Sequence, residues 1–268
     1  MPLLTLTSDI GSPDYLVAAV KANLLQINPD FRIIDISHNI PPFNHPQAAY
    51  VCRSAIRHFP DFTYHLVLVN LFDQKPKQLL LAFHNNQYLV CADNGLLTMI
   101  LEETPEMLIG IPLDSEKQIS TTAIASRMGE VVQQLVNGES IRNIGNPEPE
   151  FIEKRHLRPV LDKDSIEGQI IFIDSFENVI VNITRQQFEE QRKGRPFRIV
   201  FKRDEFITRI SDTYADVPQG DKLALFNSAG YLEIAINKGN AAGLFGLKGY
   251  SEKQQSQLSY QTVKIFFE

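Results

Sequence analysis

Leu3–Asp14, LLTLTSDIGSPD, decides how the chain is read. An apolar run, Leu3–Thr7, ends in Ser8-Asp9-Ile10-Gly11, and Pro13-Asp14 then leads into a helical pattern. A carboxylate at the carboxyl end of a leading strand, beside a glycine turn and a helix start, is where open α/β sheets place ligand sites. Turn formation by Asp9 and helix capping by Asp14 explain the same residues without a ligand.

Working outward, the spacing predicts a helix over Tyr15–Leu25, a strand over Arg32–Ile36, a helix over Gln47–Phe59 and a strand over Tyr64–Val69. Two βαβ units in succession predict a mainly parallel sheet with helices on both faces. Gln78–Phe83 and Gln87–Cys91 have hairpin spacing, and helices follow over Leu96–Glu102 and about Ser126–Val136. Met107–Ile111 is a further strand candidate. Between Glu139 and Glu167 periodicity fades, which predicts a linker. After Gly168 short strands dominate, broken by a helix over Arg185–Arg192, as in a small barrel or sandwich. The expected organisation is therefore an α/β domain over 1–138, a linker over 139–167 and a smaller all-β domain over 168–268.

The 268 residues are 43% hydrophobic and 22% charged, as in an ordinary globular protein. A net charge of −6 argues against a nucleic-acid partner. The basic run 154–158 reads as a solvated linker. No apolar run is long enough for a membrane helix and the start lacks a signal peptide's basic region, so a cytoplasmic setting is expected. Cys52 and Cys91, in apolar contexts, are expected as reduced thiols. No His/Cys spacing suits a metal, and no cofactor is expected. Dinucleotide, P-loop, α/β-hydrolase and zincin motifs are absent. Most Asp and Asn residues at strand ends read as turn formers. Asp174-Ser175-Phe176-Glu177-Asn178 stands out, because an acid, an aromatic ring and an amide suit an amine and a flat ring together.

Six segments resemble, in family order, the S-adenosylmethionine (SAM) hydroxide adenosyltransferases, relatives of the fluorinating and chlorinating enzymes. They are Leu6–Gly11, Asn28-Pro29, Ile34–His38, Ala92–Leu97, Asp174–Asn178 with Asn182-Ile183, and Asn227–Ala235. The resemblance implies a C-terminal β-barrel and a homotrimer with sites between subunits. It also implies displacement at the ribose 5′ carbon of SAM, by water or halide. It makes Asp9 the ribose-diol acceptor, Asp174 with Asp14 the holders of the methionine ammonium, and Ser228 a neighbour of the methionine carboxylate. Phe43 and Phe176 become aromatic contacts, and Asn178, with backbone around Ile236–Lys238, reads the adenine edge.

The family's water-activating Asp, Arg and His fall on Asn70, Lys77 and Ala123. Asn70 is no base but stays an expected substrate contact, Lys77 lacks a planar fork, and Ala123 has no polar group. Asp73 near that pocket is expected to repel a halide. Asp73, Lys75, Lys77, Thr121, Thr122 and Ser126 are the candidates to replace the lost groups. Two readings follow: a SAM hydrolase with a rearranged water site, or a trimer that binds SAM or adenosine without turnover.

Overall fold

Side-chain alternation along the first strands builds two apolar layers on one sheet. In β3 (Tyr64–Leu68), Leu66 and Leu68 enter one core while Val67 enters another. In β4 (Gln78–His84) and β5 (Gln87–Ala92), Leu79, Leu81 and Val90 face the first core and Leu80, Ala82 and Cys91 the second. A period of two with both faces apolar is the pattern of a sheet covered on both sides. The computed structural model describes residues 1–114, 119–155, 157–249 and 261–268, and divides the chain into two compact units, Met1–His156 and Leu157–Glu268.

The first unit also contains β1 (Leu3–Ser8), α1 (Leu16–Ile27), β2 (Arg32–Ser37), α2 (His45–Ile56), α3 (Leu96–Leu101), β6 (Met107–Pro112) and α4 (Thr121–Val136). The sheet order is β2-β1-β3-β5-β4-β6. Pairings β1–β2, β1–β3 and β3–β5 are parallel, whereas β4 runs antiparallel to β5 and β6. The sheet is thus mixed, with β4 the reversed strand because a short hairpin joins it to β5. Helices α1 and α4 supply one core, through Val20, Leu24, Ile124 and Met128, and α2 and α3 supply the other. Helix α4 begins five residues before its expected start, since the Ser120 hydroxyl accepts the Ala123 N–H at 3.2 Å as an N-cap.

The second unit contains β7 (Val160–Asp162), β8 (Ser165–Ile173), β9 (Val179–Thr184), α5 (Arg185–Arg192), β10 (Phe197–Lys202), β11 (Glu205–Ile207), β12 (Lys222–Phe226), β13 (Tyr231–Ile236), α6 (Ala241–Phe245) and β14 (Thr262–Phe267). They form an antiparallel sheet in the order β11-β10-β14-β8-β9-β13-β12, with β7 beside β8. The two ends curl together into a nearly closed barrel. The Ser211 N–H, just past β11, donates to the Ala224 carbonyl of β12 at 2.7 Å, and Lys222 pairs with Glu205. Phe188 of α5 plugs the interior against Phe197, Phe226 and Phe267.

The stretch expected as a linker is divided between the two units. Ile141 and Ile144 are buried in the first core, and the Thr98 hydroxyl donates to the Lys154 carbonyl at 2.8 Å and accepts its N–H at 3.0 Å. Gly145 lies so close to Gly110 that a Cβ would meet its carbonyl oxygen at 2.3 Å, so only glycine fits there. Residues 160–162 and 165–167 are already strand. Residues 139–155, where periodicity is weak, form an irregular strap with its own anchors. His156 of the basic run lies outside the described residues. No described helix is long and apolar enough to cross a membrane.

Candidate functional site

Asp9 follows β1 directly, at the carboxyl edge of the parallel strands. Its Oδ2 accepts the Asn70 N–H at 2.9 Å. Burial pushes its carboxyl above the ordinary aspartate range, against the pull of the Asn70 N–H, its own N–H and the nearby His45. Asn70, just past β3, has a φ of 49° and is 6% exposed. The Asn94 side chain holds it there, donating to the Val69 and Asn70 carbonyls at 3.0 Å each. Asp93 accepts from the Ile152 N–H and the Gln78 side chain, both at 2.8 Å.

A second network braces the same turn. The Ser8 hydroxyl lies 2.7 Å from His38 Nδ1, His38 Nε2 lies 3.1 Å from Asp35, and Asp35 bonds Lys21 at 2.6 Å. These partners hold the Asp35 carboxyl below its ordinary value, although its partial burial opposes them. Ser8 is fully buried, so this Ser-His-Asp chain offers no nucleophile to a substrate and acts as a strut. It escaped notice in the sequence because His38 looked like one isolated histidine.

Asp14 is exposed and accepts the Leu16 N–H at 3.0 Å, as a turn former at the start of α1 does. Phe43 is 49% exposed, with a φ of 62°. Of the positions where the resemblance puts the water-activating set, Lys77 and Ala123 each line a cavity. Lys77 lines a cavity of about 920 Å³ with Asp73, Lys75 and Asn146, whereas Ala123 lines a separate one of about 370 Å³ with Arg127 and Glu130. Neither cavity is lined by Asn70. Among the replacement candidates, Thr122 is 3.1 Å from the Ser120 hydroxyl and Ser126 accepts from Asn23 at 3.2 Å. Asp73 lies 3.7 Å from the Lys154 ammonium, which offsets the charge expected to repel a halide.

In the second unit the Asp174–Asn178 turn ties itself together. Asp174 Oδ1 accepts the N–H groups of Phe176 and Asn178 at 2.9 and 2.8 Å, and Oδ2 accepts the Asn178 amide at 3.1 Å. The Phe176 ring is left 78% exposed while Asn178 is buried. Ser228 stands exposed on the Asn227–Gly230 turn, where Asn227 Oδ1 accepts the N–H groups of Ala229 and Tyr231. Ile236 ends β13 buried, and Lys238 sits exposed in the next turn with a φ of 54°. The structure adds Glu233 and Tyr214, whose hydroxyl donates to Glu233 at 2.6 Å. Glu233 lies inside a strand pattern, where an acid ordinarily marks the solvent face, so the sequence offered no sign of its burial.

Comparisons with known proteins agree over most of the chain. Residues 4–145 match the SAM hydroxide adenosyltransferase N-terminal domain and residues 168–253 the C-terminal domain. A protein of Methanocaldococcus jannaschii named (R)-S-adenosyl-L-methionine hydrolase is 29% identical over 256 residues, spanning 92% of this chain and 93% of its own. A fluorinase of Nocardia brasiliensis is 24% identical, spanning 92% of this chain and 94% of its own. The crystal structure of an uncharacterised conserved protein from Thermotoga maritima superposes with a TM-score of 0.82 at 27% identity, covering 98% of this chain and 99% of that one. The chain belongs to the SAM hydroxide adenosyltransferase family.

Proposed function

We propose that this protein binds SAM and hydrolyses it to adenosine and methionine. The observation that carries this reading is Asp9, a half-buried carboxylate held at the end of β1 by the Asn70 N–H. A carboxylate accepts both hydroxyls of a ribose diol well. In the proposed reaction a water lone pair attacks the ribose 5′ carbon opposite sulfur. The carbon–sulfur bond breaks, its electron pair returns to sulfur, and methionine leaves as a neutral thioether. The attacking oxygen then sheds a proton to solvent. Because the sulfonium is already a good leaving group, in-line positioning and a dry site provide most of the acceleration. Loss of a base at Asn70 therefore slows the step without closing it. In this reading Asp174 and Asp14 hold the ammonium, Ser228 the carboxylate, Phe43 and Phe176 flank the ring, and Asn178 with backbone at Ile236–Lys238 reads the adenine. The working assembly is proposed to be a cytoplasmic homotrimer with sites between subunits, so light scattering should give three times the 30.4 kDa chain mass.

A second reading, binding without turnover, is favoured by the residue types at Asn70, Lys77 and Ala123, which offer neither a base nor a planar fork. Incubation with SAM and chromatography for adenosine separates the two. Asp9→Asn should weaken adenosine and SAM binding about tenfold or more. It should also raise Tm near neutral pH. A carboxyl with a raised folded-state pKa stabilises the fold when protonated and loses that contribution as pH rises through the folded pKa. Unchanged adenosine binding in Asp9→Asn would sink the assignment.

A further inference from the structure

Glu233 lies in the middle of β13, opposite Ile180 of β9 and Leu225 of β12, and is 3% exposed. A carboxylate in such a place is costly unless it is held by donors. Among the described residues no Lys or Arg forms an ion pair with it. Its donors come from two separate loops. Tyr214 reaches it from the 3-10 turn Tyr214–Asp216, and the Asn227 side chain from the turn after β12.

Asn227 is two-sided. Its amide serves Glu233, while its Oδ1 shapes the Asn227–Gly230 turn by accepting from Ala229 at 3.0 Å and Tyr231 at 3.1 Å. Ser228 is the exposed tip of that turn. On the other flank, Asp174 is near enough that its charge raises the proton affinity of both Glu233 and Tyr214, in addition to the larger effect of burial. Two carboxylates thus lie in one field with hydroxyl and amide donors around them. A cationic group of a ligand would relieve their repulsion.

We propose that Glu233 is a positioning residue for the ammonium-bearing end of the ligand. It fixes the Ser228 turn through Asn227 and adds negative charge behind Asp174. The inference rests on the proposed reading of the site as one for SAM. It separates ligand parts in a way that a purely structural role does not: the methionine moiety of SAM depends on Glu233, and adenosine, which has no ammonium, does not.

Calorimetry on the intact protein with SAM and with adenosine tests it. Glu233→Gln should weaken SAM by about tenfold or more and leave adenosine within about twofold. Should that variant fail to fold, Tyr214→Phe, which removes only the hydroxyl donor, should weaken SAM about threefold with adenosine again unchanged. Equal weakening of both ligands, or no weakening of SAM, overturns the inference and leaves the proposed function standing. A wild-type protein that binds neither ligand overturns both.

Discussion

Glu177 has a φ of 62°, in the left-handed region where a Cβ is strained. Its side chain is exposed, and it is the backbone that does the work: the N–H donates to the Asp174 carbonyl at 3.0 Å and the carbonyl accepts from Ala242 at 3.0 Å. Glu177→Gly should therefore raise stability by about 1 kcal/mol, read as a higher urea midpoint. The same backbone region recurs at Phe43, Asn70 and Lys238, all expected ligand residues. Strain of this kind collects where a turn must present a group to a ligand. The motif residues were legible because their types and order carry the resemblance. Their partners were not: that Asp174 spends three acceptor contacts on its own turn depends on the path of the backbone.

At the scale of elements, Phe188 shows how the barrel is closed inside. It is fully buried, and α5 is held over it by a capping box between Thr184 and Gln187. Phe188→Ala removes ring contacts with Phe197, Phe226 and Phe267 and should cost roughly 3–5 kcal/mol in chemical denaturation. Helix α5 was readable from its amphipathic spacing, as were α1, α2 and the core strands. Helix α6 was missed because its five residues make little more than one turn, too few for a repeat to show, and β7 because its three residues are all exposed. The start of α4 was missed because Thr121 and Thr122 are weak helix formers, and the Ser120 cap outweighs them.

For the whole molecule, His65 sets an acid limit. It is buried on β3 against the Thr5 hydroxyl at 2.7 Å, and burial lowers its pKa from 6.5 to about 4. The unfolded chain binds its proton more readily between these values. Stability is thus full above 6.5 and falls as pH drops toward 4, by roughly 3 kcal/mol. Asp9 and Glu233, with raised carboxyls, lean the other way. Urea melts of wild type and His65→Gln across that range isolate the histidine: the wild type should lose stability on acidification more steeply than the variant.

The chain alone was enough for the two kinds of architecture, the alternating cores and the family, because apolar periodicity and short motifs are local and survive without coordinates. It also set the expectation that Asn70, Lys77 and Ala123 stand where the family has its water-activating set. The place of β4 between β5 and β6, the anchoring of the strap at 139–155, the strut from Lys21 to Ser8 and the burial of Glu233 came only with the fold. Each depends on residues distant in sequence meeting in space, and burial, not residue type, sets what a carboxylate such as Asp9 or Glu233 does there. Asp9 reads first as a turn residue. The Asn70 N–H, 61 positions along the chain, is what places its carboxylate at the edge of the sheet.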